Sequence, residues 1–416
     1  MNISKIIEIY NRTNIVIKII IGIILGTVLA FVCPNFQRIN IFGALFVGAL
    51  KGVAPILVSI LIVSSLAKDT KKSDGRFTTV IMLYLISTLI AAFVAVAGSF
   101  LFPQNLVISA ANIDLSTHPS GIGDIIYNML IKIVSNPISS LIEGNYLGIL
   151  FWSVITGMVL KKVASENTKN ILQEFSNCIS EIVRLIINFS PFGIMGLVFN
   201  AVSTNGIEIF TVYGKMVLLL AGSMCFVYFV TNPIIVYSVL KINPYPLILK
   251  SLKDSGITAF FTRSSAANIP MNMALCEKLG LDKDMYSVSI PLGSTINMNG
   301  AAVTISVMTL AAVHTMGINV SLPSAFFLSI LATFAACGAS GIAGGSLLLI
   351  PMACSMFGVS NDIAMQVVGV GFIIGVIQDS FETALNSSSD VIFTATAEFL
   401  QWKKEGKDIP KISFFE

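Results

Sequence analysis

Apolar residues fall in blocks long enough to cross a bilayer, which takes about 20 residues of helix. The blocks lie near 14–33, 42–67, 78–102, 144–160, 186–204 and 216–240. Between them the basic content alternates. The stretch 68–76 holds Lys68, Lys71, Lys72 and Arg76, and 161–184 holds Lys161, Lys162, Lys169 and Arg184. The stretch 241–253 holds Lys241, Lys250 and Lys253, whereas 34–41 has only Arg38, 103–143 only Lys132 and 205–210 none. Basic loops stay in the cytoplasm, so this predicts a cytoplasmic N-terminus and six crossings by residue 240, with 161–184 as a loop. Lys51 falls inside the second block and reads as a lysine reaching for the interface.

Beyond residue 240 the pattern changes. Segments 255–276 and 325–358 are rich in Ser, Ala, Gly and Pro, and each is interrupted, at Arg263-Ser264-Ser265-Ala266-Ala267 and at Cys337-Gly338-Ala339-Ser340-Gly341. An interrupted apolar segment fits a re-entrant hairpin whose tip is buried in protein or lines a wet cavity. Two further full spans fit near 286–314 and 363–398. The basic tail, with Lys403, Lys404, Lys407 and Lys411, predicts a cytoplasmic C-terminus. Four full crossings satisfy the same charge pattern. The paired occurrence of the interrupted segments, each followed by a longer span, favours hairpins related by an inverted repeat around a midplane site.

The last span carries Asp379, Thr383, Asn386 and Asp390 at offsets 0, 4, 7 and 11, one narrow helical face. Val367 to Ile374 runs straight into this stripe, which argues for burial. Carboxylates at membrane depth cost several kcal/mol each unless compensated, so the stripe predicts a site for a cation or an ammonium group. The span before it contains Pro291, Gly293, Ser294, Thr295, Asn297, Asn299 and Gly300 within ten residues, a composition that breaks a helix. Unwinding there frees carbonyls, ligands for a small hard cation such as sodium. Tyr84, Ser87 and Thr88 share a face of the third span, a weaker signal.

Composition narrows the class. Hydrophobic residues make up 55% and charged residues 11% of 416, against about 25% charged in a soluble domain. Residues 285–361 contain no charged side chain at all. A cytosolic enzyme, a nucleic-acid binder and a disordered regulator are disfavoured; an all-α polytopic membrane protein is the reading. Net charge is +3 and points to no partner. Six cysteines without a C-x-x-C pair, and two distant histidines, His118 and His314, suggest neither a disulfide framework nor a zinc site. No H-E-x-x-H occurs, and no serine has an evident His or Lys partner, so an intramembrane enzyme is disfavoured as well. A basic N-terminus before 19–32 imitates a signal peptide, but Phe31 and Val32 precede Cys33 where small residues are wanted, favouring a retained span.

Taken in order, Thr262-Arg263-Ser264-Ser265, Pro291 to Gly300, Gly338-Ala339-Ser340-Gly341, and Asp379 with Glu382, Thr383, Asn386 and Asp390 are specific. From about 14 to 398 the chain resembles the glutamate-transporter-like dicarboxylate/amino acid:cation symporters, most closely their bacterial serine/threonine:sodium branch. The resemblance implies eight membrane helices, two re-entrant hairpins and a homotrimer in the bacterial cytoplasmic membrane. Residues 1–240 would form scaffold and trimer contacts, with the third span touching the core. Residues 241–400 would form a transport core that moves as an elevator, and 401–416 a cytoplasmic tail.

The resemblance also assigns roles. Asp379 would take the substrate ammonium, Thr383 and Asn386 would touch the substrate, and Ser265 would hold its α-carboxylate, with Arg263, Ser264, Gly341 and Glu382 around them. Sodium ligands would be Gly293, Asn297, Asn386 and Asp390 at one site, and carbonyls of Thr295, Ala336, Cys337 and Ala339 at a second. Tyr84, Ser87 and Thr88 would line a third. Two departures stand out. The usual N-M-D-G-T reads Asn297 to Ala301 with Asn299 and Ala301 in place of the carboxylate and hydroxyl. Glu382 stands where acidic-substrate members carry arginine, and Arg263 has the reach to pair with it. The implied activity is sodium-driven import of small neutral amino acids, serine and threonine, with no organic cofactor. The alternative is a sodium- or proton-coupled transporter of acidic amino acids or dicarboxylates.

Overall fold

The computed structural model describes residues 15–67, 75–107, 133–339 and 344–409, with Thr13 and Ile131. Lys5, Arg12, Lys68, Lys71, Lys72, His118, Lys132, Ser340, Gly341 and Lys411 lie outside them. Among the described residues every regular element is helical.

The first half comprises α1 (Ile15–Val32), α2 (Asn40–Ala67), α3 (Gly75–Leu101), the short α4 (Pro137–Glu143), α5 (Tyr146–Val163), α6 (Glu166–Asn188), α7 (Ser190–Asn205), α8 (Ile209–Phe226) and α9 (Asn232–Leu240). A π turn, Val227–Thr231, joins α8 to α9 into one span. Small residues set the helix spacing. A Cβ on Gly22 or Gly26 would collide with backbone carbonyls of Pro191 or Met195, so α1 lies directly on α7.

Six described helices are long and apolar enough to cross a membrane, and the bent pair α6–α7 makes a seventh. The apolar but shorter α1 completes the set of eight placed by the sequence. One expectation is corrected. Most of the predicted loop 161–184 is helix α6, capped by Ser165, whose side chain accepts from Thr168 N. It presents a narrow buried stripe of Ser176, Ile179, Ser180 and Val183 and meets α7 at a 52° bend. Its polar face hid the helix from a reading based on apolar length.

The second half settles the choice between hairpins and crossings. Hairpin 1 rises through α10 (Tyr245–Ser251), a π turn (Leu252–Gly256) and α11 (Ile257–Thr262), reverses at 263–268, and returns as α12 (Ile269–Lys278). Arg263 makes the reversal with φ 53°, in the left-handed region. Hairpin 2 comprises α15 (Leu322–Ala336) and a returning limb of one 3₁₀ turn (Ser346–Leu349) and α16 (Ile350–Met356). In each hairpin the two limbs pack on each other.

Between the hairpins runs a broken span of α13 (Lys283–Ile296) and α14 (Asn299–Thr315), and the chain closes on α17 (Asn361–Lys404). These two spans are the buried centre: of the apolar stretch in each, 94% is buried in α13–α14 and 78% in α17, against 33–50% in the other single spans. Hairpin 1 packs on α17, and α14 packs on both α3 and α17. The returning limb of hairpin 2 lies against α2 and α5.

Lys51 has a partner that the sequence did not show. It forms an ion pair with Asp362 at the start of α17, joining the first half of the chain to the second.

Candidate transport site

The break between α13 and α14 is two residues long. Asn297 (φ −89°, ψ 75°) and Met298 (φ −113°, ψ 53°) leave helical geometry. The new helix start at Asn299 exposes backbone donors, and Asn386 of α17 takes one, its Oδ1 accepting from Gly300 N at 2.7 Å. The Nδ2 of Asn386 meets Met298 Sδ at 3.4 Å. Asn386 therefore serves the break directly.

Asp390, one turn further along α17, is fully buried. Its Oδ1 accepts from Asn297 Nδ2 at 2.8 Å, while Oδ2 has no partner among the described residues. A buried carboxylate oxygen without a donor is costly, and a cation beside it removes the cost. The space is shaped for something small. A Cβ on Gly293 would stand 2.6 Å from Asp390 Oδ1 and 2.8 Å from the Tyr84 hydroxyl. Gly293, Asn297, Asn386 and Asp390 thus converge around this unpartnered oxygen.

One contact bears on the second expected group. Cys337, at the end of α15, donates its thiol to the carbonyl of Ile296 at 3.5 Å, which brings the break of hairpin 2 to the end of α13, beside Thr295. Ala336 and Ala339 are buried there.

The third group is altered, as Asn299 and Ala301 foretell. Ser87 and Thr88 donate to Asn299 Oδ1 at 3.0 and 2.9 Å, and Asn299 Nδ2 is buried without an acceptor among the described residues. Tyr84 donates to carbonyls of Ser289 and Asp390 at 3.2 and 3.3 Å and lies 3.1 Å from the Thr394 hydroxyl. Ala301 is buried and brings no oxygen. The neutral amide already has partners where a carboxylate would attract an ion.

Higher on α17, Asp379 lies between the two hairpins. Arg263 Nε donates to its Oδ2 at 2.8 Å, and Gly344 N of hairpin 2 approaches its Oδ1 at 3.4 Å. Ser265 is buried two residues past Arg263, and the Ser264 hydroxyl accepts from Ala267 N within the turn. Thr383 is buried one turn below Asp379.

The pairing of Arg263 with Glu382 does not form. Asp379 takes the guanidinium, and Glu382 turns towards α14 and hairpin 2. Its Oε2 accepts from Thr304 Oγ1 at 2.7 Å, Ser346 Oγ at 2.8 Å and Gln378 Nε2 at 2.5 Å. Two carboxylates three residues apart on one helix were within reach of the arginine, and only packing chose between them.

Sequence reasoning missed several polar partners. Thr394 continues the periodicity of Asp379 to Asp390 by one more turn and was there to be found. Ser289, Thr304, Ser346 and Gln378 carried no such signal. Nor did the buried network of Asn268, Asn272 and Ser255 with Ser387, in which Asn268 Nδ2 donates to Ser387 Oγ at 2.8 Å and Asn272 Nδ2 to the Ser387 carbonyl at 2.9 Å.

Interrupted helices converging on buried carboxylates at the centre of a helical membrane protein define a secondary transporter. The sodium:dicarboxylate symporter family matches residues 13–399, and the chain belongs to that family. It is a transporter, not an enzyme. It is 56% identical over 408 residues to the serine/threonine transporter SstT of Bifidobacterium adolescentis, covering 98% of this chain and 94% of that protein. With the serine/threonine transporter SstT of Streptococcus thermophilus the identity is 53% over 401 residues, 96% of this chain and 100% of that protein. With that of Streptococcus agalactiae it is 54% over 396 residues, 95% and 98%.

Proposed function

We propose that this protein is a sodium-coupled importer of serine and threonine in the bacterial cytoplasmic membrane, with both termini in the cytoplasm. The observation that carries the reading is Asp379, buried between two hairpins at 2.8 Å from Arg263 and 3.4 Å from Gly344 N. A zwitterionic amino acid fits that arrangement, its ammonium on Asp379 and its α-carboxylate on the tip at Ser265. Arg263 is engaged by Asp379, and Glu382 stands where acidic-substrate relatives place arginine. Both features speak against acidic amino acids and dicarboxylates as substrates.

Sodium would bind at Asp390 with Gly293, Asn297 and Asn386, and at the carbonyls of Thr295, Ala336, Cys337 and Ala339. Occupying the first site supplies the missing partner of Asp390 Oδ2. Residues 1–240 would serve as scaffold and trimer interface, and 241–400 as the core that carries substrate and ions across. The deep burial of α13–α14 and α17 supports this division.

Uptake of labelled serine into liposomes, with and without an inward sodium gradient, tests the reading. Concentrative uptake that needs sodium and is inhibited by threonine but not aspartate is the expected result. Inhibition by aspartate as strong as by threonine would refute it.

A further inference from the structure

The two hairpins are fastened to α17 by very different means. Hairpin 1 is held by a buried network in which Asn268 of the turn and Asn272 of the returning limb donate to Ser387, while Ser255 of the rising limb bonds to both asparagines. Hairpin 2 has two polar bonds to α17 among the described residues, both to carboxylates. One is the 3.4 Å approach of Gly344 N to Asp379 Oδ1, and the other is the 2.8 Å bond from Ser346 Oγ to Glu382 Oε2. The second is the better made by distance.

Glu382 is well placed to hold that bond. It sits where α14 and α17 approach most closely, since a Cβ on Gly300 would stand 2.7 Å from the Glu382 Cα. Gln378, one turn back, donates to the same oxygen and to Thr304 Oγ1, 2.5 and 2.7 Å away. Thr304 also reaches Glu382 Oε2. Three groups from α14, α17 and hairpin 2 therefore fix one carboxyl oxygen, and a buried network of this kind holds its members in one arrangement.

We propose that Glu382 is a positioning residue: it latches the returning limb of hairpin 2 onto α17 through Ser346 and so holds the Asp379 pocket closed. This rests on the transport reading above but assigns Glu382 a different role from that of a charge facing the substrate. Removing the latch lets hairpin 2 part from α17 without altering Asp379 or Arg263.

Native Cys337 at the break of hairpin 2 is a built-in reporter, half-buried, while Cys354 in α16 is fully buried and reports unfolding. The experiment follows alkylation of each cysteine by peptide mass spectrometry in purified full-length protein. Wild type is compared with Glu382→Gln and Ser346→Ala, in sodium alone and in sodium with serine. In wild type, serine should slow Cys337 labelling. In either variant that protection should fall about tenfold, the weight of one buried hydrogen bond, with Cys354 still unlabelled. The double variant should be no worse than the single ones. Half-saturating serine in uptake should rise by a similar factor while maximal uptake is retained, a split that general structural damage would not produce.

Wild-type protection with equal protection in Ser346→Ala overturns the latch, whatever Glu382→Gln does. Absence of any serine effect in wild type would instead remove the transport reading on which it rests. If Glu382→Gln labels at Cys354, the Ser346→Ala result decides alone.

Discussion

Arg263 Nε donates to Asp379 Oδ2 across 2.8 Å, tying the left-handed tip of hairpin 1 to the middle of α17. Both side chains are buried, at 9% and 3% exposure, so the pair is shielded from water, and each partner needs the other. A substrate ammonium bound at Asp379, as proposed, would share it with the guanidinium rather than find it free.

Asp379→Asn should weaken serine binding about tenfold or more, since a charge-assisted hydrogen bond in a buried site contributes about 1.5–3 kcal/mol. Breaking the pair also leaves the Arg263 charge uncompensated, which adds to the loss. Serine-binding isotherms on the purified protein check this. Equal affinity in wild type and variant would remove Asp379 from the substrate.

Asp390 lies eleven residues beyond Asp379, about 16 Å along the helix axis, too far for both to hold one small amino acid. Asp390→Asn should shift the sodium dependence of uptake to higher concentrations. Gly293→Ala should do the same, because its Cβ would intrude to 2.6 Å from Asp390 Oδ1. Sodium titrations at saturating serine are the measurement. A change confined to serine affinity would contradict the assignment.

Asn299 and Ala301 should lower the number of sodium ions carried per serine below that of relatives with an intact third site. Ser87 and Thr88 already donate to the Asn299 amide, and no negative charge is offered there. Reversal potentials in liposomes give the ratio. Asn299→Asp should raise it towards that of acidic-substrate members, because restored charge in a low-dielectric site attracts a cation. An unchanged ratio in the variant would mean that Ala301 or another residue is the limiting one.

The Lys51–Asp362 pair is partly exposed, so its removal should cost little stability, about 0–1 kcal/mol. Its position matters more, because it bridges α2 and α17. A Lys51→Cys, Asp362→Cys variant should cross-link with a short bifunctional reagent. If the two halves slide during transport, cross-linked protein should lose serine uptake, and reversal of the link should restore it. Full uptake by the linked protein would show that α2 and α17 do not part at this point.

Much of this molecule follows from the one-dimensional pattern alone. Apolar block length located all eight membrane spans and missed only α6, the first limb of the bent α6–α7 pair, and the spacing of Asp379, Thr383, Asn386 and Asp390 put them on one face. These are periodic, local properties of a chain that must satisfy its backbone inside a bilayer. The break at Asn297 and Met298 is local too, because Pro, Gly and Asn disfavour helix wherever they sit. Helix α6 escaped notice because its polar face interrupts the apolar run that block length detects.

What the chain order could not decide was which polar groups meet. Lys51 and Asp362 are 311 residues apart, Arg263 and Asp379 are 116, and Ser346 and Glu382 are 36. Asp379 and Glu382 differ by less than one helical turn, yet one faces hairpin 1 and the other faces α14 and hairpin 2. The selection of Asp379 by Arg263 comes from how hairpins pack on α17. Charge complementarity, readable in the sequence, allowed either partner; direction and distance, which only the tertiary structure supplies, allowed one.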